Sequence, residues 1–460
     1  MKYFSKCFSI LLLPVLLLTG AGCGGSSAQQ AAQTPVTLTI WNVFESAAPY
    51  QQLFDNYRVL HPNVSINYRS LRSDEYEKEL LRAFAEGRAP DIFAIHNSAI
   101  PTFDSLIDRM PESIQIPFQE VQGTLKKSTV YTMQTVAMPS LKSFKDSFVD
   151  VVQTDALKTE RQSNGTDAQR VLGFPFSVDT LALFYNKDLF NASGIATPPT
   201  DWDSFQTAVA KITVTGPNDL VVQSAAALGT ADNIDRAGDI AALLMMQNGT
   251  QMVTPQGRAQ FSTTNADSKA LTGAQALSFY VNFANPAVKN YTWNKDQQKS
   301  FDAFVNGKTA MMLGYAYNIP SIRARNPKLR FGISSMPQIA GATPVNYANY
   351  WIYSVAKTTK NKDWAWDFLR FATTQPDQAK IYLDAAQKPP ALRALRSQYL
   401  ENETLGVFAD QILTARSWYH GKDDAAVDAA LLQLIRDFSV PLEDPAVPLR
   451  RAENTINQTL

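Results

Sequence analysis

From residue 36 the chain alternates short runs of apolar and polar residues with stretches of helical period. Val36-Thr-Leu-Thr-Ile-Trp41 reads as a strand, the apolar spacing across Tyr50–Leu60 as a helix, and Val64-Ser-Ile-Asn-Tyr68 as a second strand. Tyr76, Leu80 and Phe84 recur at four-residue steps and predict an amphipathic helix. Ser73 would cap that helix, with Asp74, Glu75 and Glu77 complementing its dipole. Gly87 and Pro90 close it, and Asp91-Ile-Phe-Ala-Ile95 reads as a third strand. This β-α-β-α-β order predicts an α/β lobe with a largely parallel sheet.

Farther on, residues 111–170 carry the weakest pattern. A helical reading fits Thr124–Phe148 in pieces, and Thr159–Asp167 reads as a polar loop. Residues 173–185 form an apolar, strand-like run holding a single carboxylate, Asp179, near its start. Thr197–Phe205 carries a capped helix start, and helices are expected through about residue 283. A helix at Phe301–Asn306 stops at Gly307. Strands follow at Thr309–Leu313, Leu329–Ser334 and Tyr350–Val355, then a helix from Lys362 to Ala372 and a helical C-terminus. There is no internal repeat.

Composition sharpens this picture at two points. The 460 residues, 45% hydrophobic and 18% charged, are ordinary for a globular chain and suggest two lobes. At the N-terminus, Lys2 and Lys6 precede an apolar run, Phe8–Leu18, that is too short to span a bilayer comfortably. Small residues then lead to Cys23 and a Gly/Ser/Gln tether over residues 24–35, a pattern that resembles a bacterial lipoprotein signal with Cys23 as the lipidated residue. Gly20 stands where that signal usually has Leu, and the plainer alternative is secretion with cleavage in the same small-residue run. The only cysteines are Cys7 and Cys23, so the mature body would carry no disulfide, thiol nucleophile or cysteine metal site. Basic and acidic residues balance at 42 each, without a basic tract of the kind nucleic acid requires.

Catalytic and cofactor motifs are absent from the sequence. Asn306-Gly-Lys-Thr309 resembles the end of a phosphate-binding loop, but Asp302 occupies the position of its first glycine and a strand follows instead of a helix. His61, His96 and His420 lack metal-ligand spacing. A carboxylate pair for glycoside hydrolysis stays open, because such a pair is defined in space. Aromatic placement says more. Trp202, Trp364 and Trp366 sit on helical faces and read as core, whereas Tyr315, Tyr317, Tyr350, Trp351 and Trp418-Tyr419 fall just past strands or in loops. Ligands of open α/β sheets bind beyond the carboxyl ends of strands. Flat aromatic faces there suit sugar rings, with nearby carboxylates and amides taking the hydroxyls.

Leu38-Thr-Ile-Trp41, Glu86-Gly-Arg-Ala-Pro-Asp-Ile92, Gly173-Phe-Pro-Phe through Asp179 to Phe190, Pro199-Thr-Asp-Trp-Asp-Ser-Phe205, Phe304-Val-Asn-Gly-Lys-Thr-Ala-Met-Met312 and Ser354–Leu369 occur in one order along the chain. Together they resemble the family 1 extracellular solute-binding proteins, the substrate-capturing subunits of bacterial ABC importers. The resemblance implies a class II periplasmic-binding-protein-like fold, in which two α/β lobes joined by hinge crossovers close on a ligand between them. It implies a first lobe of residues 36–174 with about 337–388 and a second of about 175–336 with 389–460. The stretch bearing Asp179 would be the first crossover, and the second would lie near Met336-Pro337. Asp179 would then accept hydrogen bonds from ligand hydroxyls on the cleft floor, or alternatively cap nearby backbone or pair with an arginine. The same pattern offers Glu45, His96 and Asn97 as first-lobe contacts, Tyr315, Tyr317, Tyr350, Trp351 and Trp418 as cleft aromatics, and Asn233 and Arg236 from a second-lobe loop. Residues 111–170 are longer than the family's usual connection.

The implied function is capture of a sugar or oligosaccharide outside the cytoplasm by a monomer without cofactor or metal, anchored to the membrane by lipid, and its delivery to a permease. The alternatives are a glycan-acting surface enzyme, a binder of a non-sugar such as a phosphodiester or polyamine, or a partner of a membrane sensor.

Overall fold

The computed structural model describes residues 27–124, 127–264 and 269–460; Cys23 and the leader lie outside these. The chain forms two α/β lobes with a small shared sheet between them. The first lobe is built on a four-stranded sheet in the order Trp351–Val355, Ile92–His96, Val36–Val43, Val64–Leu71. Its last three strands in that order run parallel, as the β-α-β-α-β pattern predicts, and Trp351–Val355 closes the edge antiparallel to Ile92–His96. The second lobe holds five strands in the order Val214–Thr215, Val221–Ala226, Thr309–Gly314, Ala182–Asn186, Phe331–Ser334. Three stretches meet where the chain passes between the lobes: Asp179–Thr180 lies antiparallel to Asn346–Asn349, which also pairs with Ala415–Arg416.

The helix Ser73–Ala85 buries Tyr76, Leu80 and Ala83 against the first sheet. The Tyr76 hydroxyl sits 2.8 Å from the Ala94 carbonyl oxygen and donates to it. Ser73 does not cap this helix: Arg72 holds the cap position without a side-chain bond, and the chain turns out of the helix at Gly87 with φ +71°. Asp201 and Ser204 form a reciprocal capping box at the start of Trp202–Ile212. Asp91, in the Pro-Asp-Ile motif, staples strands to helix, accepting from the Thr39 backbone N–H at 2.7 Å and the Asn361 amide at 3.2 Å.

Several elements depart from the sequence pattern. Residues 113–137 form a long hairpin, Ser113–Gln122 with Ser128–Ala137, and a second hairpin pairs Leu157–Arg161 with Asp167–Val171. The polar and β-branched residues of these strands leave little apolar period to read, and the first hairpin packs on the helices Ser27–Gln33 and Lys362–Thr374. Val221–Ala226 is a strand inside a region expected to be helical; its alanines favour helix, but pairing with Thr309–Gly314 overrides that preference. The run 173–185 divides into a bridge at Phe174, the crossover Asp179–Thr180 and the strand Ala182–Asn186. Gly173 permits the first of these, since a side chain there would collide with the Tyr353 carbonyl. The second crossing runs through Asn346–Asn349, beyond Met336-Pro337.

The tryptophans read as core are largely so. Trp202 and Trp366 are buried, donating to Gln247 Oε1 at 2.8 Å and Asp108 Oδ2 at 3.0 Å, while Trp364 is part-buried against His61. No helix among the described residues is long and apolar enough to cross a membrane.

Candidate functional site

Between the lobes lies a cavity of about 430 Å³. Its first-lobe wall comes from the carboxyl end of Ile92–His96, with His96 and Ser98, and from the start of Ser73–Ala85, with Tyr76 and Glu77. Its second-lobe wall comes from Arg236 and Asp239 at the start of the helix Ala237–Gln247, and from Trp418, Asp424 and Asp428. Tyr347 and Trp351, from the returning crossover, line it as well. A second cavity of about 530 Å³ shares Ser73 and Asp74 with the first and is bordered by Phe44, Leu71 and Arg72. The second cavity adjoins the first at Ser73 and Asp74 but is lined by first-lobe residues alone, and both lie near the ends of the parallel strands, where open α/β folds place ligands.

Of the residues expected at a ligand site, four line this cavity: His96, Arg236, Trp351 and Trp418. The Trp351 ring packs edge-on against His96, Tyr76 and Phe44. His96 Nε2 lies 2.9 Å from Asn349 Oδ1 and its Nδ1 lies 2.6 Å from Ser98 Oγ. Burial, assisted by the Arg236 charge, holds its pKa below 6.5 and favours the neutral ring. Arg236 pairs with Asp239 at 2.7 Å, and Asp239 also accepts from the Tyr315 hydroxyl at 2.6 Å. Arg236 lies over the Tyr315 ring, and Tyr317 stacks on that ring at 5.4 Å while staying 46% exposed. Tyr315 is thus buried beneath the wall, supporting Arg236 and Asp239.

The other expected residues are held by internal bonds. Glu45 accepts from the Tyr50 and Tyr382 hydroxyls, each at 2.8 Å, and pairs with Lys388 at 2.5 Å. Asn233 accepts from the Trp293 indole at 3.0 Å and donates to the carbonyls of Asn294 and Gln297. Asn97 and Tyr350 both donate to Asp155, at 3.1 and 2.7 Å, and Ser417 and His420 bind the same carboxylate at 2.5 and 2.7 Å. Asp179 sits at the crossover, where its Oδ1 accepts from the backbone N–H groups of Thr180 at 2.9 Å and Ala316 at 3.1 Å. Burial pushes its carboxyl up to about 7, against these bonds and the Lys388 charge.

The structure adds wall residues that the sequence did not offer as ligand contacts: Glu77, read only as a complement to its helix dipole, and Ser98, Asp239, Tyr347, Asp424 and Asp428. Asp423-Asp424 could have been noticed as acids opening a helix, since Asp423 caps Asp424–Phe438. Phe44 carried no sequence signal. It is 69% exposed beside Trp351, and its backbone sits at φ +66°, a left-handed conformation that costs free energy for a residue with a side chain. Arg236, at φ +60°, shares that conformation. Such outliers concentrate at ligand sites. Among the described residues no group of three or more His, Cys, Asp or Glu is placed to hold a metal ion.

Comparison with known proteins adds three findings. The family model for bacterial extracellular solute-binding proteins matches residues 42–379. A protein of Brucella abortus (strain 2308) named as a binding protein is 25% identical over 250 residues, 54% of this chain and 57% of that one, so the match spans little more than half of that relative. Among solved structures, the cyclic alpha-maltosyl-1,6-maltose binding protein of Arthrobacter globiformis superposes with a TM-score of 0.70 at 20% identity, covering 92% of this chain and 99% of that one. The sugar-binding protein MalE of Xanthomonas citri superposes with a TM-score of 0.69 at 17% identity, covering 92% and 97%. These likenesses establish the two-lobed periplasmic-binding-protein fold.

Proposed function

The chain belongs to the bacterial extracellular solute-binding protein family, and from that premise we propose that it captures an oligosaccharide in the cavity between its lobes and delivers it to an ABC permease. The observation that carries this reading is the composition of that cavity. Trp351 offers an aromatic surface, with Trp418 nearly buried in the opposite wall, and Ser98, Arg236, Asp239 and Asp424 surround the cavity with donors and acceptors. That combination matches the two faces of a pyranose ring, one of C–H groups and one of hydroxyls. Two adjoining cavities of about 430 and 530 Å³ favour a chain of sugars over one ring.

The family acts outside the cytoplasm as a binding component. For this chain we extend that to lipid anchoring at Cys23, a monomeric state and no chemistry on the ligand. The lobe division at 36–174 with 337–388, and 175–336 with 389–460, is supported by the two sheets and the paired crossings at Asp179–Thr180 and Asn346–Asn349. In this scheme closure is driven by contacts a ligand makes with both walls at once.

A thermal-shift screen of the purified protein tests the reading, with mono- and oligosaccharides set against amino acids, polyamines and phosphodiesters. A ligand that binds only the folded state raises the melting temperature by mass action. The expected result is a shift with an oligosaccharide class, and recovery of that ligand intact after long incubation. A shift with a control and none with any sugar would overturn the substrate assignment, and hydrolysed ligand would favour an enzyme.

A further inference from the structure

Five residues that line the cavity, His96, Ser98, Trp351, Trp418 and Tyr419, come from three separate stretches of chain. Each stretch is fastened by a residue next to them to one carboxylate, that of Asp155. This group stands outside the cavity wall, and its side chain is fully buried. Asn97, between His96 and Ser98, donates to Asp155 Oδ2 at 3.1 Å, and Tyr350, just before Trp351, donates to the same oxygen at 2.7 Å. Ser417, just before Trp418, and His420, just after Tyr419, bind Oδ1 at 2.5 and 2.7 Å. The first two stretches are also joined directly, because the Asn97 N–H donates to the Tyr350 carbonyl at 3.0 Å and His96 pairs with Trp351 across the sheet. Asp155 adds the third, from the opposite wall.

Packing does not account for a carboxylate at this place. Asp155 stands in the last turn of the helix Asp150–Ala156, where a negative charge opposes the helix dipole. Burying such a group is unfavourable unless its oxygens are bonded, and an apolar side chain of similar volume often serves stability as well. What the carboxylate supplies is geometry. Its two oxygens keep their two pairs of donors only while all three stretches hold their present places. Displacing one stretch leaves a buried acceptor short of a donor, so the network favours a single arrangement of the wall.

We propose that Asp155 is a positioning residue for ligand capture: without touching the saccharide, it sets the three lining stretches in the arrangement that binds it. This rests on the oligosaccharide reading above. The influence of Asp155 on affinity passes through the side chains it places, Trp351 among them. It should therefore be large while those side chains are present and smaller once Trp351 is removed.

Two variants test this. Asp155→Asn keeps the side chain's volume and one acceptor oxygen, and Ser417→Ala removes a single donor from Oδ1. Amide hydrogen exchange is first followed by mass spectrometry on the purified protein without ligand. Exchange in segments 95–99, 348–352 and 415–421 is expected to rise about ten-fold in Asp155→Asn, and in 415–421 alone in Ser417→Ala. The helix Ala237–Gln247, which reaches the cavity through Asp239, should keep the parent rate. A uniform rise across the protein, or none in the three segments, would overturn the inference. Calorimetry with oligosaccharides of the malto, cello and manno series then reads affinity. Asp155→Asn should weaken binding about ten-fold in the parent but at most about three-fold in a Trp351→Ala background. Equal factors in the two backgrounds would overturn the positioning role and leave the oligosaccharide reading standing. If no saccharide of these series binds the parent, the oligosaccharide reading falls, while exchange confined to the three segments would still support Asp155 as the residue that places them.

Discussion

The Ser98 hydroxyl donates to the Asp424 carboxylate at 2.9 Å, joining the loop after the Ile92–His96 strand to the first turn of a second-lobe helix. Nearby, Thr102 donates to the Lys422 carbonyl at 3.1 Å. The neutral His96 ring donates from Nδ1 to the same Ser98 oxygen at 2.6 Å, and its Nε2 lies beside Asn349 on the crossover. These contacts together couple crossover, first wall and second wall. Ser98→Ala removes a bond to a charged group, worth about 1.5–3 kcal/mol, and should shift the ligand-free protein toward an open arrangement. Small-angle scattering should then report a larger radius of gyration without ligand, converging with the parent value once ligand is saturating. An unchanged ligand-free radius would mean that Ser98 does not hold the lobes together.

Asp179 gives a pH signature of known sign. Its carboxyl is raised from 3.8 to about 7, first by burial. The folded chain thus binds a proton more readily than the unfolded chain, so ionisation of Asp179 erodes stability as pH rises from about 4 to about 7. Asp179→Asn keeps an acceptor for the Thr180 and Ala316 N–H groups and removes the ionisation. Its melting temperature should exceed the parent's at pH 8 and lose that advantage at pH 4. A gain of equal size at both pH values would show that burial does not raise this group.

His420 titrates with the opposite consequence. Burial acts to lower its pKa, but the bond to Asp155 at 2.7 Å outweighs it and leaves the imidazole above 6.5. A histidine whose folded pKa is raised contributes stability that is complete below about 6.5 and is lost as pH climbs through the folded value. His420→Gln should be less stable than the parent at pH 6, with the difference narrowing by pH 9. Thermal melts across that range would show a constant difference if the Asp155 pair carried no charge.

Trp351 and Glu45 separate ligand binding from scaffolding. Trp351→Ala removes an aromatic face from the cavity wall and should weaken saccharide binding by about 1–3 kcal/mol. Glu45→Gln disturbs a buried network of Tyr50, Tyr382 and Lys388, so it should lower the melting temperature with little change in affinity. If calorimetry shows the larger affinity loss in Glu45→Gln, the two roles are exchanged.

The strands Val36–Val43, Val64–Leu71 and Ile92–His96 were legible because each alternates or runs apolar between amphipathic helices. The hairpin Ser113–Ala137 was not, since both its strands are mixed in polarity and draw their support from residues far away in sequence. The site followed the same divide. His96, Trp351 and Trp418 stand at strand ends or in loops, and their side-chain types suit a cleft. Glu45, Asn97, Asn233 and Tyr350 have equally suitable side chains, but whether such a group faces a ligand or a buried neighbour is decided by partners such as Asp155 and Lys388. Glu77 was read only as a helix-dipole acid and Asp428 not at all, because a charge on a helical face looks the same in sequence whether it faces solvent or a cavity.

The strand Trp351–Val355 completes the first sheet, yet it follows every strand of the second in the chain. During synthesis the Ile92–His96 edge stays unpaired until residue 355 has left the ribosome, and a sheet with an open edge is not yet stable. The first sheet is thus completed only after the second. Both sheets therefore remain incomplete until most of the chain has been made, so neither lobe can settle early around its own half of the cavity.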